Sequence, residues 1–531
     1  MIASLACLLR YFTPINIFFS PVIASVSYHG LERNHIPVKN EKGLSSSGSL
    51  STIIVGAGPA GLTAAYELAR RGQNSLVIEQ SDKVGGISRT ETYKGYRFDI
   101  GGHRFFTKVP EVNALWQEVM GPEMLKVPRL SRIFYNQKFF DYPLSIGNTL
   151  GNLGPYESLR ILLSYLQAQL RPSQKEETFE EWVINRFGRR LYLTFFKTYT
   201  EKVWGIPCDQ IRADWAAQRI KGLSLSTAVK NALLGSGDVK TLIKEFDYPK
   251  YGPGEMWERF TDRILSLGSE VRLNTRTRRF VRKGNRIEGV VIQDTNGLET
   301  TLTASQFLSS APVQDLLLHM DPLPPEEVVA AAKGLKYRDF MIVPLIVKRD
   351  NLFPDNWIYI HSPEVRVGRI QNFKNWSAAM VPDTGYSCLG MEYFCNADDV
   401  LWNTSDGELI AMASAELEKI NLASADDVMD GTVIRQRHAY PVYDEHYRGH
   451  LDVIKSWVTS LENLQTVGRN GLHRYNNQDH SMLSAILAVR NLYGEKHDLW
   501  EVNTERSYHE DFVHPKKANA STKPLLEAVA S

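Results

Sequence analysis

The hydrophobic positions of this chain fall into short unbroken runs separated by stretches of helical spacing, and the changes of period mark its elements. Residues 52–55 form an apolar, β-branched run that predicts a buried strand. A glycine-rich string follows, and then Ala and Leu recur at helical spacing over 62–71 until Gly72 stops them. Residues 75–78 predict a second buried strand, which ends at Glu79. Helical periodicity returns at 159–170 and 179–187. Strands are predicted at 270–273, 276–282, 287–294, 340–347 and 387–394. Later a strand at 463–467 precedes a helical pattern at 482–493 that stops at Gly494. Strand–helix–strand at the front, with strands gathered further on, predicts an α/β chain.

Composition narrows the class. The 531 residues are 43% hydrophobic and 23% charged, values of an ordinary soluble globular chain, which exclude coiled coil, collagen and low-complexity disorder. With 61 Lys+Arg against 60 Asp+Glu, no whole-chain attraction to nucleic acid or an anionic membrane follows. Cys7, Cys208, Cys388 and Cys395 are too scattered for a disulfide framework, and no C-x-x-C pair suggests a metal site. Residues 1–50 stand apart. Their uncharged stretch at 11–28 contains Pro14, Asn16 and Pro21, which suits no spanning helix. It also lacks the basic start of a secretory signal, although Ala24-Ser25-Val26-Ser27 has the small residues of a processing site. The expectation is a disordered leader and a flexible linker, a folded protein starting near Ser51, and a cytoplasmic location.

The chemistry begins at Gly56-Ala57-Gly58-Pro59-Ala60-Gly61, between the first strand and the first helix. Gly56 permits a tight turn, Gly58 lets a pyrophosphate approach the backbone, and Gly61 lets helix and strand pack closely. The helix start then offers unpaired N–H groups and a positive dipole to phosphates. Glu79, with Gln80 beside it, stands eighteen residues beyond Gly61. A carboxylate there accepts hydrogen bonds from ribose hydroxyls and repels a 2′-phosphate.

Val84-Gly85-Gly86-Ile87-Ser88-Arg89-Thr90 and Phe98-Asp99-Ile100-Gly101-Gly102-His103 come next. This layout resembles the glutathione-reductase-like FAD proteins of the flavin amine oxidase and protoporphyrinogen oxidase superfamily. The resemblance implies non-covalent FAD, a pyrophosphate passing Gly85 and Gly86, and Arg89 available to neutralise a phosphate. It also implies a return of the chain beneath the adenine at 268–313. Gly468-Arg469-Asn470-Gly471 and Tyr475-Asn476-Asn477-Gln478-Asp479-His480-Ser481 would close the flavin site at a helix start, with Asp479 or Ser481 as N-cap. Asp479 and His480 then serve the cap and not an acid–base pair. No cysteine follows Cys395, so this segment offers no cysteinyl-flavin bond, and no second strand-G-x-G-x-x-G-helix unit marks an NAD(P) domain. The motif order implies a Rossmann-type FAD domain built from 51–151, 250–315 and 455–495. A helical substrate domain (152–249), an antiparallel β-sheet substrate domain (316–454) and a tail (496–531) complete the expectation.

Substrate-side strings narrow the family further. Tyr199-Thr200-Glu201-Lys202-Val203-Trp204-Gly205-Ile206-Pro207, Trp215 with Arg219, Asn356-Trp357-Ile358-Tyr359, Arg369, Phe373-Lys374-Asn375-Trp376-Ser377, Ala439-Tyr440-Pro441 and Asp141-Tyr142-Pro143-Leu144 occur in the chain. They resemble the UDP-galactopyranose mutases, especially the eukaryotic-type branch. The resemblance implies a UDP-sugar substrate, pyranose/furanose ring contraction with reduced flavin N5 as nucleophile, and an external reductant such as NAD(P)H. Arg219 and Arg369 fall on the diphosphate-binding arginines. Tyr359, Tyr440, Tyr475 and Tyr142 fall on tyrosines that hold phosphate and sugar, with Trp357 beside them and His103 on a loop at the flavin. Thr200 stands where that branch carries asparagine, and Ser145 replaces an amide on the uridine side. A true oxidoreductase of the amine oxidase type shares the cradle and is the alternative; it would need an apolar tunnel, for which Phe105, Phe106, Phe134, Phe139 and Phe140 are candidates.

Overall fold

The first two apolar runs become neighbouring parallel strands: β1 (Leu50–Val55) and β2 (Ser75–Ile78) pair with Ile53 opposite Leu76 and Val55 opposite Ile78. Both faces of each are covered, which is why they read as continuous apolar runs and not as alternation. The helix α1 (Pro59–Arg70) connects them. The computed structural model describes residues 50–142, 144–213 and 243–503, all within the unit Ser49–Ser531. Three later returns of the chain complete the sheet. Ala304–Ser309 pairs with β1, Leu464–Thr466 pairs outside it, and Glu270–Arg272 pairs with β2. All four pairings are parallel. Ile54, Leu62, Leu76 and Leu308 lie fully buried in the core around this sheet; each contributes about 1.5–3 kcal/mol by leaving water. Arg276–Lys283, Arg286–Gln293, Glu299–Leu302 and Met320–Asp321 form a separate four-stranded sheet.

A larger sheet has Tyr337–Val347 at its heart, antiparallel to Ser387–Cys395 through nine paired residues. Arg369–Asn372 and Trp357–Ile360 follow in order, and then Ser131–Tyr135 and Lys138–Asp141. Val428–Gly431 and Ile434–Pro441 pair on the other side of Tyr337–Val347. Two expectations change here. The sheet is mixed, because Trp357–Ile360 runs parallel to Ser131–Tyr135. Its last two strands come from before residue 151, in the segment assigned to the cofactor domain. A β-hairpin carries its apolar face wherever a sheet edge accepts it, so sequence position does not fix its sheet.

The helical region holds Pro155–Leu170, Phe179–Phe187 and Thr198–Trp204, with a π-helical turn at Tyr192–Lys197. Thr178 and Glu181 cap Phe179–Phe187 reciprocally, satisfying two of its orphan donors. The expected helical domain 152–249 ends otherwise: Glu245–Pro249 is a strand, antiparallel to Met124–Pro128. Nor is 496–503 a bare tail, because Leu499, Trp500 and Val502 are buried. The leader before Leu50 and the residues after 503 lie outside the described residues.

Candidate active site

The glycine string is built as its spacing required. Gly56 takes φ +98° and donates its N–H to Ile78 O at 2.8 Å, locking the turn to β2. A Cβ on Gly61 would lie 1.8 Å from Gly56 O, so only glycine lets α1 sit against the turn. Gly58 differs. A Cβ there would meet only Gly86 Cα, at 3.8 Å, so packing does not demand its bareness. Gly86 is bare for a local reason, since it takes φ +54° and a Cβ there would lie 3.2 Å from Gly58 Cα, so the open space is in front of Gly58. Pro59 opens α1 with the φ a first helical residue needs, and among the described residues no side chain caps the helix. Its first-turn N–H groups and positive end are therefore left for an anionic ligand. Ala57, Ala60 and Gly61 are buried under this turn.

Glu79 is held in place. Its Oε2 accepts from Ala57 N–H at 2.8 Å, and its Oε1 from Ser81 N–H and Oγ at 3.0 and 2.9 Å. Gln80, its neighbour, is exposed. Gly85 N–H donates to Ala57 O at 2.8 Å, which brings the second glycine pair over the first. Ile87 and buried Ser88 lie in the short turn Gly86–Ser88. Arg89 departs from expectation: its Nε donates to Glu91 Oε1 at 2.6 Å, and its Nη1 to Gly86 O and Gln436 Oε1. Its charge is spent on Glu91 and it braces the loop.

The closing segment lies opposite. A Cβ on Gly468 would be 3.0 Å from Ala60 Cβ, so this loop meets the start of α1. The helix Gln478–Leu492 is capped by Asn477, upstream of both Asp479 and Ser481. His480 Nδ1 accepts from Asn477 N–H at 3.3 Å, so the histidine serves the cap. Burial at this helix start pushes the Asp479 carboxyl up to about 7, against a hydrogen bond from Thr107. Gln478 is buried with its Oε1 unpartnered among the described residues, and Ser481 is buried beside it. An open glycine at Gly58, an uncapped helix start, a fixed acid and an orphaned buried acceptor are what a dinucleotide bridging these segments requires, and FAD fits them.

Beside the Gly101-Gly102-His103 loop lies a cationic, hydroxyl-rich site around Arg369. Arg369 sits opposite Tyr359 across paired strands. Its Nε donates to Glu392 Oε2 at 2.5 Å, and Gln371 Nε2 donates to the other carboxylate oxygen at 2.8 Å. Glu392 is wholly buried, and burial pushes its carboxyl up while Arg369 and Gln371 pull it down. Burial, the largest single influence, would discharge the guanidinium, but Glu392 together with Tyr440, Tyr199 and Tyr359 outweighs it and holds Arg369 charged. Tyr199, Tyr359 and Tyr440 surround that charge closely enough to bear on it. A Cβ on Gly101 would lie 3.7 Å from Arg369 and 3.9 Å from His103 Nε2, which places the Gly101-Gly102-His103 loop on the pocket. His103 Nε2 bonds Ile100 O at 2.9 Å. Burial, with Arg469 and Arg369 nearby, pushes the imidazole down to about 4, so it is neutral at pH 7.

Aromatic rings fill the rest. Tyr440 and Tyr475 stack at 5.6 Å, with the Arg469 guanidinium 5.0 and 4.1 Å from their rings. Arg469 is aimed by bonds to Ala439 O and Asn476 O. Tyr142 meets Tyr359 at 4.9 Å, and Tyr359 meets Trp357 at 6.3 Å. Arg104 and Arg129 each lie 5.4 Å from the Trp357 ring. Thus Arg369, His103, Tyr359, Tyr440, Tyr475, Trp357 and Tyr142 come together; Arg219 lies outside the described residues.

Sequence reasoning missed several contributors. Glu392 had a signal: it is the one acid in the otherwise uncharged strand Ser387–Cys395, and a buried charge needs a partner. Tyr199, in a quoted string but given no role, stacks flat on His361 at 4.8 Å and edge-on to Tyr359 at 5.5 Å. Three residues on, Lys202 Nζ donates to Ser362 O and Val367 O at 2.7 and 3.2 Å, tying this helix to the turn between the Tyr359 and Arg369 strands. Arg104 and Arg129 had no local signal.

Comparison with known proteins agrees with this geometry. The chain is 24% identical over 428 residues to a coproporphyrinogen III oxidase of Mycobacterium leprae (strain TN), covering 76% of this chain and 90% of that protein. The crystal structure of a reduced UDP-galactopyranose mutase matches the fold with a TM-score of 0.74 at 21% identity, covering 86% of this chain and 96% of that one. Wild-type putrescine oxidase bound to putrescine matches with a TM-score of 0.57 at 16% identity, covering 84% and 99%. The family of flavin containing amine oxidoreductases matches residues 59–469. The cradle, the closing helix and that match, spanning most of the chain, make this protein a member of the flavin containing amine oxidoreductase family, with FAD as its cofactor.

Proposed function

We propose that this flavoenzyme is a nucleotide-sugar mutase that contracts the ring of a UDP-sugar. The observation that carries the reading is Arg369, fixed and kept charged by buried Glu392 in a pocket lined with Tyr199, Tyr359 and Tyr440. A planar guanidinium donates two charge-assisted hydrogen bonds at once, which suits a diphosphate. Arg469, beside the stacked Tyr440 and Tyr475 rings, adds a second fixed charge. The tyrosine hydroxyls supply donors that remain protonated, since burial pushes Tyr199 and Tyr440 above the usual phenol range. Arg369 and Arg469 hold the diphosphate beside the sugar while the surrounding rings exclude water. Reduced FAD, when bound, supplies the nucleophilic nitrogen for the anomeric carbon.

The second reading is an oxidoreductase, favoured by the 428-residue likeness to the coproporphyrinogen oxidase. It needs an apolar tunnel, yet the phenylalanines that would line it are dispersed. Phe105, Phe134 and Phe140 belong to three separate cores. The experiment is anaerobic reduction with dithionite followed by a panel of UDP-hexoses, with sugar ring form followed by chromatography. Conversion by the reduced protein alone is expected. No conversion and no UDP-sugar binding, with dioxygen consumed on a porphyrinogen or an amine, would overturn the mutase reading.

A further inference from the structure

The helix Pro155–Leu170 carries two apolar faces, and the cofactor and substrate sites use neither. Its inner face is anchored. Ile161 and Ala168 are buried, Ser164 Oγ accepts from Arg190 N–H at 2.9 Å, and Gln169 Nε2 donates to Asn185 O at 2.7 Å. The helix is therefore presented rigidly. On the outer face stand Tyr156, Leu159, Leu163, Leu166 and Leu170, exposed by 73%, 55%, 57%, 47% and 82%.

The spacing of these five residues is three, four, three, four. That is the a/d repeat of a helix packing against another helix, narrower than the stripe a helix turns toward a globular core. Leu162, also half exposed, widens the seam at its centre. The six side chains present on the order of 600 Å² per copy, near the ~800 Å² per partner of a standard interface. Monomers seldom leave so large a contiguous apolar patch in water.

We propose that a second copy of this chain covers the seam, helix Pro155–Leu170 lying antiparallel on its counterpart about a twofold axis at Leu163. In that arrangement Tyr156 faces the partner's Leu170, Leu159 faces the partner's Leu166, and Leu163 meets itself. The contact is self-complementary, as a twofold interface must be, and the two helix dipoles oppose. A lipid surface is a poorer occupant. Arg160 is the only cation within the helix, whereas a membrane-surface helix has a polar face rich in Lys and Arg.

The test uses the full-length, FAD-loaded protein at micromolar concentration. Light scattering coupled to size exclusion should give twice the chain mass for the natural protein. Leu163→Glu, which places two like charges on the axis, should halve that mass while the flavin absorbance is retained. Should Leu163→Glu not fold, oxidation of Leu163→Cys and Tyr156→Cys decides, with the natural protein as blank. Covalent dimer is expected at 163 and not at 156. A monomeric natural protein, a Leu163→Glu variant of undiminished mass, or equal cross-linking at both positions would each overturn the proposal, as would a monomer that co-floats with lipid vesicles through this helix.

Discussion

The cradle and the cationic pocket use side chains in opposite ways. Around Gly56–Gly61 and Gly85–Gly86 the binding groups are backbone N–H donors, and the residues matter for what they lack. Around Arg369 the binding groups are side chains from at least four segments, each aimed by another side chain or a carbonyl. The first region is rigid because strand and helix touch without an intervening Cβ. The second is rigid because a buried ion pair has one geometry that satisfies both partners. A buried pair of this kind contributes little net stability against an apolar replacement, so its value lies in orientation.

The strongest test of this contrast compares two glycines. Gly61→Ala forces a methyl into Gly56 O and should cost 4 kcal/mol or more, roughly the scale that unfolds a marginal domain. Gly58→Val meets no such obstacle and should give folded, colourless protein with the thermal stability of the natural apoprotein. Flavin absorbance and thermal unfolding read both outcomes, and a yellow Gly58→Val protein breaks the cradle assignment.

The ion pair is asymmetric in the same instructive way. Glu392→Ala strands a guanidinium that cannot shed its proton, and should cost about 3–5 kcal/mol in denaturant unfolding. Arg369→Ala leaves a carboxyl that burial already drives toward protonation, so the protein should fold and stay yellow. Its kcat/KM for the UDP-sugar should fall by about 1.5–3 kcal/mol, the loss of one charge-assisted contact. Equal destabilisation by the two substitutions would refute this account of the pair.

The mildest effect concerns pH. His103 is held down to about 4 and His361 to about 3, both chiefly by burial. A UDP-hexose carries no titrating phosphate proton between pH 6 and 8, so any change in its affinity across that window should come from the Asp479 carboxyl near 7 and vanish in Asp479→Asn; a change that persists there would place a charged imidazole in the pocket. Stability moves at lower pH. Both rings stay neutral in the folded chain but bind protons once unfolded. Their contribution is complete above about pH 6.5 and is lost as pH falls toward 4, visible as a declining Tm.

Much of the cradle was legible in the sequence, and the reason is physical. Gly56, Gly58, Gly61 and Glu79 act within one strand–helix–strand unit, so their spacing is their geometry. Asn477 shows the limit even of local reading, since the sequence offered Asp479 or Ser481 for the cap and the backbone places it at Asn477 in the same polar string. Arg89 shows a second limit. Its spacing suited a phosphate, but Glu91 two residues on took its charge.

The pocket was legible only as a set of resemblances. Composition read a net charge of +1 and could not show that Arg369, Arg469, Arg104 and Arg129 converge around a few rings. By itself, then, the sequence determined the α/β class, the dinucleotide cradle and the helical periodicity of 159–170, because each is written in near-neighbour spacing. The tertiary structure alone decided that hairpin Ser131–Asp141 joins the large sheet, that Glu392 aims Arg369, and that Lys202 pins the turn between the Tyr359 and Arg369 strands. Those contacts join residues distant along the chain, and only the paired strands of the folded sheet bring them within a hydrogen bond of each other.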